Sequence, residues 1–320
     1  MRHWAYKPKN IVMTTRYNSL NQEIRERFGQ RVNRITINAG LTCPNIDGSR
    51  ARGGCTFCQD ASYFGISFME GASLRQQIEN GINYLRKRYG GDACVAYFQN
   101  GTNTYADAGK LRSLYNEALS YREIRGLFIA TRPDCFSEEI VELLAEMNRR
   151  TYLWVEVGIP SHRDDRNRAL NRAHTVAEFE ESLGRLAARG IRVCAHVILG
   201  LPGEDREEIL EKSSYFARVP IHGIKIHNLV VFKNTALEKQ YVQGKYQPLE
   251  LSDYASLCTD FLENLRPDIV IHRLNAHGPR DLTVAPEWSV NKLATMNAIH
   301  AELERRDTWQ GKNFGAGGLS

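Results

Sequence analysis

Cys43, Cys55 and Cys58 fall within the sixteen residues CPNIDGSRARGGCTFC, at C-x11-C-x2-C spacing. Thiolates gathered on so short a stretch hold a metal ion or an iron–sulfur cluster. A closed structural zinc site takes four ligands. No nearby cysteine or histidine supplies a fourth, and the next cysteine, Cys94, lies in an apolar run. Three loop cysteines with no joint role are the plain alternative, and Gly53 and Gly54 directly before the C-x2-C argue against it. A [4Fe–4S] cube held by only three thiolates leaves one iron open, which is what an exchangeable ligand requires, by the logic of the open position on a catalytic zinc. The residue types therefore point to a cluster built for chemistry. Glycines admit backbone N–H groups to its sulfides, Arg50 and Arg52 offset negative charge, and Phe57 shields one face and offers a ring to a flat cofactor.

The elements that must position these thiols read as strands alternating with helices. RITINAG (34–40), ACVAYFQN (93–100), GLFIAT (126–131), YLWVEVGI (152–159), RVCAHVILGL (192–201) and GIKIHNLVV (223–231) are short apolar, β-branched runs. Between them Leu74, Ile78, Ile82 and Leu85 recur at helical spacing, and Ser137 caps a helix with two acids in its first turn. Stretches 175–190 and 204–219 have the same helical character. Apolar strands with helical crossovers make a parallel sheet covered on its outer face, with the ligand site at the strands' C-terminal ends. The cysteine loop follows the first strand and so belongs to that end. Six such units fit an open sheet or an incomplete barrel. Residues 268–274 read as one further strand and 289–306 as a closing helix.

Three cysteines on the first loop of a partial (βα)6 barrel resemble the radical S-adenosylmethionine (SAM) superfamily. The long C-x11-C-x2-C spacing resembles its YhcC/YtqA-type group, related to the catalytic subunit of elongator. The likeness runs from about residue 28 to 310, through FGQRVNRITINAGLTCPNIDGSRARGGCTFC, AYFQNGTNTYA, ATRPDC, WVEVGI, LNRAH, HVILGLPGE, GIKIHNL and VAPEW, each motif at a strand end. It implies an α/β fold, a TIM-like partial barrel with N- and C-terminal extensions, divided as a basic extension over 1–30, the barrel over 31–235 and an α/β extension over 236–320. It implies a [4Fe–4S] cluster on Cys43, Cys55 and Cys58, SAM bound at the open iron, and reductive cleavage of SAM to a 5′-deoxyadenosyl radical that abstracts hydrogen from a substrate.

The resemblance also distributes roles among residues. Gln99, Thr102, Asn103 and Thr104 end the second strand where relatives hold the methionine amino group, although Asn100-Gly101 also reads as an ordinary turn. Arg172 stands where relatives place an arginine near the SAM carboxylate; as one of six arginines between 149 and 172 it is otherwise a solvated charge. His196 occupies a position that contacts the SAM ribose, against the reading of a satisfied core histidine. Gly200 and Gly203 allow close backbone approach for adenine. Lys225 and His227 alternate on the sixth strand and face the interior, where an unpaired cation is costly, so they are the catalytic candidates, with Glu156 as a cofactor contact or their counter-charge. Two positions depart from the family pattern: Pro160 replaces a glutamine, and Ala173 replaces a glycine. Cys135 is a candidate radical-relay thiol, and Cys94, Cys194 and Cys258 read as core residues.

Composition narrows the setting. The 320 residues carry a net charge of +5, and residues 1–34 alone carry +6, from Arg2, Lys7, Lys9, Arg16, Arg25, Arg27, Arg31 and Arg34 against Glu23 and Glu26. With Trp4, Tyr6 and Tyr17, such a segment suits phosphates and stacked bases, or is simply solvated. The seven cysteines are odd in number and irregularly placed, no apolar run is long enough to cross a bilayer, and no secretory h-region is visible, so the expectation is a cytoplasmic protein without membrane contact. The implied partners are a reduced flavodoxin- or ferredoxin-type electron donor and a tRNA whose wobble-uridine side chain is the substrate. The rival reading is a non-catalytic metal- or RNA-binding protein with a structural zinc or iron–sulfur site.

Overall fold

The computed structural model describes residues 16–59 and 71–315. Arg2, Lys7, Lys9, Trp4 and Tyr6 of the basic segment lie outside them. In chain order the elements are α1 (Leu20–Phe28), β1 (Asn33–Ile37), α2 (Leu74–Tyr89), β2 (Cys94–Phe98), α3 (Ala108–Leu119), β3 (Ile124–Thr131), α4 (Glu138–Arg150), β4 (Tyr152–Gly158), α5 (Asp164–Ala169) and α6 (Val176–Ala187). There follow β5 (Val193–Leu199), α7 (Arg206–Arg218), β6 (Gly223–Asn228), β7 (Val231–Phe232), α8 (Ala236–Val242), α9 (Leu251–Asn264), β8 (Val270–Arg273), β9 (Thr283–Ala285) and α10 (Lys292–Arg305).

The helices begin where the sequence supplies side-chain acceptors for their free N–H groups. Ser73 and Gln76 form a capping box on α2, Thr175 and Glu178 another on α6, and the Ser137 hydroxyl accepts from Ile140 at the start of α4. The strands are buried almost throughout; all five residues of β2 are buried, as a strand covered on both faces requires.

Among the described residues the main sheet has seven parallel strands in the order β1-β2-β3-β4-β5-β6-β8. The expected alternation of six strands is present, and the stretch expected as a further strand joins the same sheet as its seventh. Four strand spacings separate β2 from β6, about 19 Å if the sheet were flat. Yet Lys225 on β6 donates to the Tyr97 hydroxyl on β2 at 2.8 Å. The sheet is therefore curled into a half-barrel with side chains meeting across its interior, and β1 and β8 are left as its two edges.

Two apolar layers hold it. The larger packs the outer face of the strands against α2, α3, α4, α6, α7 and α9, with Phe98, Tyr115, Phe179, Phe216 and Phe261 fully buried. The smaller lies inside the curl, where Leu20 and Ile24 of α1 pack with Val95, Phe128, Tyr152, Trp154 and Val270. Val32, Ala93, Tyr152 and Val270 stand at or just before strand N-termini, so α1 closes that end of the half-barrel. Ser19 bridges Ile271, fixing α1 to the β8 edge. The opposite end carries the cysteine loop.

Candidate functional site

The loop after β1 is pinned from several sides. The Cys43 carbonyl accepts from the backbone N–H of Ile46 and Asp47, at 2.8 and 3.1 Å, and Cys58 N–H donates to the Cys55 carbonyl at 3.0 Å. The Asn171 amide donates to the carbonyls of Arg52 and Gly54, at 3.0 and 2.7 Å. Thr56 N–H donates to Leu170 O, and its own carbonyl accepts from Leu237 at the start of α8.

Donors converge on the thiols. Arg172 Nη1 lies 3.3 Å from Cys55 Sγ, and Asn45 Nδ2 lies 3.6 Å from the same sulfur. Arg172 is held there by two further bonds, Nε to His174 Nε2 at 3.0 Å and Nη2 to the Gly158 carbonyl at 2.9 Å. A Cβ at position 158 would stand 2.7 Å from that Nη2, so glycine at the end of β4 is what admits the guanidinium. Because His174 Nε2 accepts from an arginine, its ring is neutral; burial and the nearby charges of Arg172 and Arg132 push its pKa down to about 2.

Arg132 is the second cation near the thiols. Its fork closes on the Asp134 carboxylate with two bonds of 2.9 Å, and the charges of Cys43 and Cys55 bear on it. Burial works against the Asp134 carboxylate, yet the Arg132 guanidinium holds that carboxyl below its ordinary range. Arg132 Nη1 is buried without a partner. Arg50, expected to offset the cluster's charge, instead pairs with Asp134 at 3.2 Å and with Glu178. The guanidinium groups at the thiols are those of Arg172 and Arg132.

This set fits a thiolate-held cluster. Donors aimed at a sulfur stabilise its anionic form. Among the described residues, the one group of three candidate ligands with atoms mutually within 4.8 Å is Glu156, Cys194 and His272. The three loop sulfurs are therefore not all within 4.8 Å of one another, whereas a single tetrahedral zinc holds its thiolates roughly 3.8 Å apart. A cube spreads its cysteines farther apart than one ion does.

Beneath the loop, inside the curl, polar side chains from five strands meet. Glu156 on β4 is fully buried and central. Lys225 Nζ donates to its Oε2; His196 Nε2 donates to the same oxygen at 3.0 Å, and His272 Nδ1 to Oε1 at 3.2 Å. Burial disfavours the Glu156 carboxylate, but the Lys225 charge and the histidine donors hold its pKa well below the ordinary value. Burial lowers Lys225 to about 8, so it stays protonated at neutral pH, and lowers His196 and His272 each to about 4. One carboxylate and one ammonium thus balance, with both imidazoles neutral. Lys225 thus supplies the positive charge beside Glu156.

The remaining expected residues divide by what they touch. Thr102, Asn103 and Thr104 are buried and largely committed to the protein. Asn103 Nδ2 donates to the carbonyls of Asn100 and Ala130, and Thr104 Oγ1 donates to Cys135 O at 2.7 Å. Gln99 joins the loop to β1, its N–H donating to Ile37 O. The unpartnered buried acceptors here are Asn100 Oδ1 and Asn103 Oδ1. His227 lies beside His196, ring centroids 5.8 Å apart, and its Nε2 is buried without a partner. Phe57 packs on Leu170, Ile198, Leu201 and Leu229, an apolar patch at the C-terminal ends of β5 and β6. Gly200 adopts φ +79°, and a Cβ there would meet Leu249 at 2.7 Å; Gly203 adopts φ +72° beside Arg166. Pro160 needs no donor, since only its carbonyl is used, by Ile198 N–H.

Sequence reasoning passed over Asn45, Arg132, Tyr97 and His272. Arg132 had a legible signal, the R-x-D spacing that puts its fork on Asp134. His272 had a weaker one, a polar residue inside the apolar run DIVIHRL. Tyr97 had none.

Similarity to known proteins follows these features. The radical SAM superfamily model matches residues 46–212, and the radical SAM C-terminal domain model matches residues 221–305. YtqA of Bacillus subtilis is 40% identical over 93% of this chain and 93% of its own, and YhcC of Escherichia coli K12 is 34% identical over 90% and 91%. A tRNA uridine(34) acetyltransferase of Dehalococcoides mccartyi is 30% identical over 50% of this chain but 34% of its own. The solved structure of Elp3 from the archaeon Methanocaldococcus infernus superposes with TM-score 0.66 at 16% identity, covering 90% of this chain and 68% of that one.

Proposed function

Because the chain belongs to the radical SAM superfamily, we propose that it is an enzyme that binds a [4Fe–4S] cluster through Cys43, Cys55 and Cys58 and uses it with SAM to abstract hydrogen from an RNA substrate, a tRNA wobble-uridine side chain. The observation that carries the reading is the trio of loop thiols with two donors, Arg172 and Asn45, on Cys55. When bound, the cluster and SAM supply one-electron cleavage of SAM and the hydrogen abstraction that follows; the electron comes from a reduced flavodoxin- or ferredoxin-type partner.

The chain's own residues bind, orient and exclude. Arg172 donates to Cys55 Sγ, Arg132 adds a second guanidinium nearby, and the loop's backbone bonds fix the positions of the thiols. Asn100 Oδ1 and Asn103 Oδ1 are buried acceptors suited to an ammonium group, the role expected of the motif after β2. Phe57 and the patch around Ile198 and Leu201 offer an apolar face to a purine, with the Gly200 turn beside it. Further in, the Glu156–Lys225 pair holds its proton on Nζ, and its neutral balance keeps water from being drawn into a dry interior. His227, with Nε2 unpartnered, is the group left to meet the substrate.

The RNA substrate is supported by the basic N-terminal segment and by the tRNA uridine(34) acetyltransferase above, whose likeness covers half of this chain and a third of its own. Among the described residues no helix is long and apolar enough to cross a membrane.

The test is anaerobic reconstitution. Brown protein with about four irons per chain that releases 5′-deoxyadenosine on reduction with SAM is expected, and Cys55→Ala should release none. Colourless protein with one zinc supports the non-catalytic rival. Mass comparison of tRNA nucleosides from cells with and without the protein then tests the substrate.

A further inference from the structure

A cavity of about 720 Å³ bounded by described residues does not lie over the thiols. It opens at the seam of the half-barrel, along the free edge of β1, and is lined by α1, β1, α2 and residues of the C-terminal region. Its charged lining is of one sign: Arg25, Arg31, Arg34 and Lys292, with His277 and no aspartate or glutamate. Arg273, at the end of β8, lies close enough to Arg34 and Lys292 for their charges to disfavour one another.

These cations differ from most arginines of the molecule. The ion pairs of the described residues include Arg50, Arg86, Arg132, Arg166, Arg206 and Arg306, but not Arg34, Arg273 or Lys292. Arg34 Nη1 is buried and meets no acceptor. With no aspartate or glutamate in the lining, and no ion pair to Arg34 or Lys292 among the described residues, the cavity wall carries uncompensated positive charge. Such an arrangement weakens the free protein and favours a bound polyanion. Aromatic rings share the cavity: Tyr84 and Tyr89 project from α2, and the Arg31 guanidinium stands 4.1 Å over the Tyr89 ring. Cations drawn from α1, β1 and α10, with aromatic rings beside them, suit the phosphates and bases of a nucleic-acid strand.

We propose that this seam binds the sugar–phosphate backbone of a single-stranded RNA segment, through Arg34 and Lys292 with Arg25 and Arg31 at its rim, and with the charge of Arg273 behind them. The proposal rests on the RNA substrate of the preceding section and names the surface that receives it. Arg34 and Arg273 also adjoin Tyr97 and Glu156, so a strand lodged here lies at the open side of the interior network.

The test uses the full chain with its cluster reconstituted, unreduced and without SAM. Fluorescence anisotropy is read with a labelled single-stranded RNA of about twelve nucleotides. Wild-type protein should bind it. The combined variant Arg34→Gln, Arg273→Gln, Lys292→Gln should bind at least tenfold more weakly, with a log K against log salt slope shallower by about 2. Lys110→Gln with Arg218→Gln, exposed on α3 and α7, should change neither quantity. The seam variant should melt at or above the wild-type temperature, because it relieves repulsion. Seam-variant binding equal to wild type overturns the proposal, as does a melting temperature several degrees lower, which would make the cations structural. Binding of inorganic pyrophosphate but not of RNA also overturns it, leaving a small-anion pocket. None of these readings needs SAM cleavage, so an inactive enzyme and an empty seam are separate failures.

Discussion

Arginine serves opposite purposes at the cysteine loop and at the seam. Around the thiols each guanidinium has acceptors: Arg50 meets Asp134 and Glu178, Arg132 meets Asp134, and Arg172 meets Cys55, His174 and Gly158. At the seam Arg25, Arg31, Arg34 and Lys292 line a cavity that has no aspartate or glutamate in its wall, and Arg273 lies near Arg34 and Lys292. Paired charges build a rigid rim for a group that must not move. Unpaired charges cost stability and are kept where something else arrives to neutralise them. The difference teaches that charge alone says little about function, whereas the presence or absence of a built-in counter-charge says a good deal.

The sharpest way to break this comparison is to remove one arginine from each region. Arg132→Gln strands the Asp134 carboxylate with Arg50 as its one remaining cation and should cost about 3 kcal/mol in urea unfolding. Arg34→Gln should cost nothing or stabilise. Equal losses from both would erase the distinction between paired and unpaired cations.

A second contrast sets the interior network against the solvent-exposed surface. His196 and His272 are neutral in the fold, with pKa about 4, against about 6.5 in the unfolded chain. Between those values the unfolded chain binds protons that the fold refuses. Stability therefore falls as pH drops from 6.5 towards 4, by up to about 1.4 kcal/mol per pH unit for each such histidine. His227, lowered further, acts in the same sense. Glu156, whose carboxyl is held well below its ordinary value, adds a loss at still lower pH. Thermal melts from pH 7 to 4.5 should show a steep decline, and a flat profile would contradict neutral buried imidazoles.

The smallest effect belongs to the loop carrying Arg172. Ala173 adopts φ +53°, a left-handed conformation that disfavours a side chain, where the family pattern has glycine. Ala173→Gly should stabilise by about 1 kcal/mol. A destabilisation measured in denaturant would mean that the Ala173 methyl makes a contact outweighing the strain.

Much of the fold was legible because its signals are local. Strand and helix periodicities in stretches such as 93–100 and 137–150 depend on near neighbours, as do the capping residues Ser137 and Thr175. The thiol spacing is local too, which is why Cys43, Cys55 and Cys58 stood out from the other four cysteines. What was not legible depends on the curl of the sheet. Nothing in AYFQN or DIVIHRL indicates that Tyr97 and His272 would converge on Lys225 and Glu156 from strands far apart in the order. The seam is hidden for the same reason: Arg34 and Arg273 are 239 positions apart and become neighbours only when the two sheet edges approach. The choice of Arg172 and Arg132 over Arg50 at the thiols was settled by which carboxylates, Asp134 and Glu178, stood nearest.

The central claim, an iron left open by three thiolates and taken by SAM, is tested most directly by electron paramagnetic resonance of the reduced, reconstituted protein with and without SAM. The account predicts a [4Fe–4S] signal that changes on adding SAM and is missing in Cys55→Ala. A full cluster whose spectrum ignores SAM would contradict it.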